Sequence, residues 1–95
     1  MPYKIDIYIG SDNKTRKISR DYLEKLKNWA SKVFPAGYTL LKGKGFYNGG
    51  SEDSIIVTVL SPENFPLKDE IEFLKRALGQ EAILLSKSYI ELQVI

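Results

Sequence analysis

The chain has 95 residues, enough for one hydrophobic core and too few for two, so residues 1–95 are read as a single domain. Its 43% hydrophobic and 27% charged residues exclude a disordered chain and a membrane span, and 14 Lys and Arg against 12 Asp and Glu leave +2, too slight an excess to force binding to nucleic acid or anionic lipid. With zero cysteine and zero histidine, disulfides, thiolate nucleophiles, Cys-ligated zinc and the commonest general base are excluded as well.

Tyr3, Ile5, Ile7 and Ile9 alternate with Lys4, Asp6 and Tyr8, the period-two pattern of a half-buried strand. The same alternation lacks the unbroken apolar stretch of roughly 7 to 15 residues that a secretory signal needs, so a cytoplasmic protein is expected. Gly10-Ser11-Asp12-Asn13 ends the strand, and the polar stretch through Lys17 reads as a loop. Ser19 is placed as a helix N-cap, with Ile18 and Leu23 as a hydrophobic staple. Tyr22, Leu23, Leu26, Trp29, Ala30 and Val33 then recur at three and four, predicting a helix over about residues 20–34 that Pro35 stops.

Pro35-Ala36-Gly37 reads as a turn into a second strand, Tyr38-Thr39-Leu40-Leu41, which resumes at Phe46-Tyr47 after a bulge suggested by Gly43 and Gly45. Residues 48–53 have the composition of a hairpin loop, and residues 54–60 alternate as a third strand. Pro62 and Pro66 precede a second helix whose buried line is Leu67, Ile71, Leu74 and Leu78 and whose C-cap is Gly79. Residues 82–95 read as the last β segment, with Ile90, Leu92 and Val94 alternating against Tyr89, Glu91 and Gln93. No fixed-period repeat is present.

The order β-α-β-β-α-β predicts an α+β ferredoxin-like sandwich, a four-stranded antiparallel sheet with two helices on one face. The other face carries no helix. Tyr8, Ile56, Tyr89 and Glu91 are expected there, together with Lys4, Asp6, Thr58 and Gln93, and the mixed character of that face points to a homo-oligomer.

Phe34-Pro35-Ala36-Gly37-Tyr38-Thr39, the glycine and aromatics at Gly45 to Tyr47, and Gln80-Glu81-Ala82-Ile83-Leu84 resemble the pattern of a family of small bacterial proteins of unknown function. That pattern reads F-P-x-G-apolar-T, then glycine and an aromatic, then Q-E-S-apolar-L ahead of a terminal strand. Ala82 stands where the family has serine, and Phe46-Tyr47 where it more often has a polar residue and tryptophan. The resemblance spans about two thirds of the chain and implies the ferredoxin-like fold.

Residues 42–51 hold four of the seven glycines, with Lys42, Lys44, Phe46 and Tyr47 among them. Glycines let backbone N–H groups approach a phosphate, lysines neutralise it, and an aromatic ring stacks on a base. Lys42, Lys44, Gly45, Phe46, Tyr47 and Asn48, joined by Arg16 and Arg20 from the first loop and helix start, are therefore the candidate ligand-binding residues. The competing reading is a bulged hairpin with solvated lysines. Ile7-Tyr8-Ile9-Gly10 resembles the first signature strand of RNA-recognition domains, but Lys44-Gly45-Phe46-Tyr47 falls on strand two where the second signature belongs on strand three, so RNA is not the expected partner. The arginine-bearing phosphate cradle of acylphosphatases is missing between the first strand and first helix.

The expectation is a non-enzymatic, oligomeric module that binds a small phosphate-bearing ligand, a nucleotide signal in particular, and sequesters it in the way some phage counter-defence proteins do. No cofactor, catalytic residue, resident metal or membrane association is expected. The alternatives are an interaction module that docks a protein through the open sheet face and a metal-assisted phosphoesterase using Glu52 and Asp53.

Overall fold

The computed structural model describes residues 2–95. Its elements are β1 (Tyr3–Gly10), α1 (Arg20–Val33), β2 (Thr39–Tyr47), β3 (Gly50–Ser61), α2 (Lys68–Leu78) and β4 (Leu84–Tyr89). The strands make one antiparallel sheet of order β2-β3-β1-β4, the ferredoxin-like arrangement. Ile5, Ile7 and Ile9 of β1 and Ile55, Val57 and Val59 of β3 are buried together, as directly opposed pairs must be when one sheet face is covered. Tyr22, Leu26, Trp29, Ala30 and Phe34, with Leu67, Ile71, Leu74 and Leu78, cover them. The Trp29 indole N–H donates to Glu70 O at 3.0 Å, so the largest apolar side chain of α1 also ties α1 to α2.

Local chemistry sets the helix limits. Ser19 accepts from Tyr22 N at 3.1 Å, satisfying one of the free amides that open α1. Gly79 has φ 66°, the left-handed conformation that closes α2, and the next amide, Gln80 N, returns to Lys75 O at 2.9 Å. This closure fixes the direction in which Gln80 leaves the helix. No helix among the described residues is long and apolar enough to cross a membrane.

Three expectations are corrected. Gly43 and Gly45 make no bulge: β2 and β3 pair one to one from Thr39 opposite Thr58 to Tyr47 opposite Gly50. The hairpin loop is two residues, not six. Asn48 and Gly49 both have positive φ, 48° and 76°, as a type I′ turn requires, and residues 50–53 therefore belong to the strand. The last strand stops at Tyr89, so Glu91 lies beyond the sheet, and Tyr89 pairs with Tyr3 on the helix-bearing side, their ring centroids 4.7 Å apart. Tyr8 and Ile56 do lie on the uncovered face, opposite each other. So do Lys4, Asp6 and Thr58, the last donating to Asp6 at 2.8 Å.

β1 ends at Gly10, opposite Ser54. Residues 44–47 and 50–53 consequently run on as a two-stranded ribbon beyond the four-stranded sheet.

Candidate functional site

The ribbon is backed by the loop between β1 and α1. The Asp12 carboxylate accepts from Lys14 N at 2.8 Å and Thr15 N at 3.1 Å, and these N–H bonds, that of Thr15 foremost, hold its pKa below the usual carboxylate value. Arg16 N then donates to Asp12 O at 2.8 Å, and Asp53 N of the ribbon donates to Arg16 O at 3.3 Å. Arg16 adopts φ 57°, uncommon for a residue with a side chain, and this turn aims its guanidinium back over β3. A Cβ on Gly50 would stand 2.9 Å from Arg16 Nη1. Gly50 is thus the surface on which the guanidinium rests, and no other residue leaves it that room.

Arg16, Tyr47, Gly50, Ser51, Glu52 and Asn13 line a depression of about 150 Å³. Arg16 makes no ion pair among the described residues. Glu52 is anchored from beneath: Ser11 Oγ, fully buried, donates to its carboxylate at 3.2 Å. Ser11 O in turn accepts from Gln80 Nε2 at 2.7 Å, the Tyr22 hydroxyl donates to Gly10 O, and Asn13 Nδ2 donates to Gly79 O at 3.1 Å. The β1 exit, the α1 core and the α2 cap therefore all converge under one carboxylate, beside an unpaired guanidinium and an exposed phenol ring.

The register divides the predicted ligand residues. Opposed residues share a face, so Gly45 lies with Glu52 and Tyr47 with Gly50 on the uncovered side, while Lys42, Lys44 and Phe46 point to the other side with Ile55, Asp53 and Ser51. Lys42 and Lys44 line a second depression of about 360 Å³ with Ile18, Gly43, Asp53 and Ser54. The cationic segment is therefore not one niche. Lys44 is spent on Asp53 at 2.5 Å, the chief cause of the lowered Asp53 pKa. Phe46, Asn48 and Arg20 are exposed and line neither depression. Glu52 and Asp53 diverge to opposite faces, which removes the paired-carboxylate metal site, and no group of three metal-ligating side chains occurs among the described residues. Sequence reasoning missed Asn13, Ser11 and Gln80. One signal was available for Glu52: a two-residue Asn-Gly turn dictates that Glu52 opposes Gly45.

Tyr22 offers a check on this network. Burial pushes its phenol up to about 12, the nearby Asp12 and Glu52 charges adding to the effect and a hydrogen bond with Gln80 opposing it. The folded phenol ionises later than the unfolded one, so its contribution to stability is whole below pH of about 10 and is lost as pH rises through 12. Denaturant midpoints are expected to fall less steeply above pH of about 10 in Tyr22→Phe than in the native chain. Equal slopes would place the Tyr22 hydroxyl in solvent.

No family model matches the chain, and no curated protein matches it significantly. Solved structures do. A phage SAM lyase in complex with S-methyl-5'-thioadenosine superposes with TM-score 0.63 at 14% identity, over 92% of this chain and 80% of that one. A phage SAM lyase in the apo state gives 0.63 at 15% identity, over 90% and 78%. The shared feature is the fold.

Proposed function

We propose that the chain is a small-ligand-binding module of the kind phages encode, holding a phosphate-bearing nucleotide in the depression between the first loop and the ribbon, and sequestering it without turnover. The observation that carries this is the convergence of Arg16, Tyr47 and Glu52. A guanidinium with no carboxylate partner suits a phosphate, an exposed phenol ring suits a base, and an anchored carboxylate accepts from ribose hydroxyls. A fold neighbour solved in complex with S-methyl-5'-thioadenosine supports a small-ligand-binding module. The absence of histidine and cysteine supports retention of the ligand over its conversion.

Thermal shift against 5'-AMP, cyclic dinucleotides, S-adenosylmethionine and S-methyl-5'-thioadenosine tests the proposal. A ligand at a hundred times its Kd adds about 2.7 kcal/mol to stability. Nucleotides are expected to give the larger shift, because S-methyl-5'-thioadenosine offers Arg16 no phosphate. A flat response across the panel would overturn the reading. One observation favours a second reading, turnover: Glu52 presents a carboxylate inside the same depression. Release of S-methyl-5'-thioadenosine from S-adenosylmethionine would establish it, and the sequestration reading expects the S-adenosylmethionine to be recovered intact.

A further inference from the structure

We infer that residues 90–95 of one copy add as a strand to the β2 edge of a second copy. Ile90, Leu92 and Val94 alternate with Glu91, Gln93 and Ile95, a strand pattern rich in branched side chains, yet these residues form no strand. The segment leaves the sheet just after Ile90 N donates to Pro2 O at 3.2 Å, and Leu92, Val94 and Ile95 are 44%, 99% and 110% exposed. A strand-patterned segment with its apolar side chains in water lacks a partner.

β2 is the sheet edge that fits it. Its nine residues contain no proline, and its outer backbone groups are unpaired within the sheet. The two faces of β2 differ in chemistry. Leu41, Gly43, Gly45 and Tyr47 lie on the uncovered side, and Leu40, Lys42, Lys44 and Phe46 on the other. When Ile90, Leu92 and Val94 face the uncovered side, Glu91 necessarily shares a face with Lys42, which makes no ion pair among the described residues. Setting Glu91 opposite Lys42, the two strands parallel, seats Leu92 over Gly43 and Val94 over Gly45, where β2 has no side chains of its own, and brings Ile95 beside Phe46. The opposite facing satisfies neither the charge nor the apolar set.

The occupant has to come from another copy. β4 and β2 are the two edges of the sheet, three strand spacings or about 14 Å apart. Six extended residues reach about 20 Å, so a segment that crossed its own sheet would have almost nothing left to pair. A contact of this kind is heterologous and closes into a ring or propagates.

The chain has no cysteine, which makes cross-linking a clean test. In the variant carrying both Gly43→Cys and Leu92→Cys, oxidation is expected to join separate chains through disulfides, and Gly43 accepts a Cβ at an ordinary 3.6 Å from Ser54 Oγ. In parallel, light scattering after size exclusion is expected to find the native chain larger than one copy and a chain ending at Tyr89 monomeric, still folded with a cooperative thermal transition that lies lower because association no longer adds to stability. A monomeric native chain, an assembly that persists without residues 90–95, or disulfides formed only within single chains would each overturn the inference. None of these outcomes depends on whether a nucleotide binds.

Discussion

Arg16→Ala is expected to weaken nucleotide binding by about 10- to 100-fold, the worth of a charge-assisted hydrogen bond of about 1.5–3 kcal/mol. Stability should stay within about 0.5 kcal/mol of the native chain, because Arg16 is exposed, makes no ion pair and leaves its left-handed backbone cost to the alanine. Gly50→Ala provides an independent route to the same result. Its methyl group would occupy the place 2.9 Å from Arg16 Nη1. The obstacle is the far end of a flexible side chain, so the fold yields easily while the guanidinium loses its seat. Calorimetric titration of 5'-AMP into both variants checks this. Native affinity in Arg16→Ala would remove Arg16 from the site.

The largest effect on folding is expected at the centre of the sheet. Ile7 is 0% exposed and stands between Val57 of β3 and Leu85 of β4. Ile7→Ala removes three heavy atoms from a place where both neighbouring strands are fixed by their ladders, so the site cannot collapse, and a loss of about 2–5 kcal/mol is expected. Domains of this size are stable by about 5–15 kcal/mol and lose roughly 4–8 °C in Tm per kcal/mol, so the transition should fall by about 10 °C or more. Urea unfolding followed by Trp29 fluorescence measures it. Phe46→Ala in the chain ending at Tyr89, which lacks the strand that would pack on β2, is the control, since Phe46 is 81% exposed in a single copy and should there change stability by less than about 0.5 kcal/mol. A comparable loss at Phe46 would mean that the ribbon is packed against something in solution.

The core was legible because its periods are clean. Isoleucines at every second position of β1 and apolar residues at three and four along α1 and α2 each admit one burial, and Ser19 and Gly79 mark helix limits by backbone chemistry that few residues supply. The ribbon was not, because Ser51, Glu52 and Asp53 are polar on both faces and lie beyond β1, where no burial imposes alternation. Their strand state follows from the Asn48-Gly49 turn alone. Gly43 and Gly45 suggested a bulge for the same reason: glycine weakens a strand locally, and only the uninterrupted partner strand overrides it. The facing of Tyr89 was misread from Ile90, Leu92 and Val94, residues that leave the sheet, while β4 itself is exposed on both faces and encodes no parity.

Half of the candidate site could be read in advance. Arg16 and Tyr47 were legible as a cation and a ring beside glycines. Ser11 and Gln80 were not, since their roles rest on contacts 41 and 69 residues apart in sequence, and no local pattern announces them. The two lysines that drew attention by composition are turned to the opposite face by the period-two alternation itself.

Backbone amide resonances followed by NMR during titration with 5'-AMP test the central claim most directly. The predicted result is a set of shifts confined to residues 11–16, 47–53 and Gln80, saturating together and abolished by Arg16→Ala. Saturable shifts centred on Lys42, Lys44 and Ile18, or on the uncovered face around Tyr8 and Ile56, or no shifts at all, would contradict it.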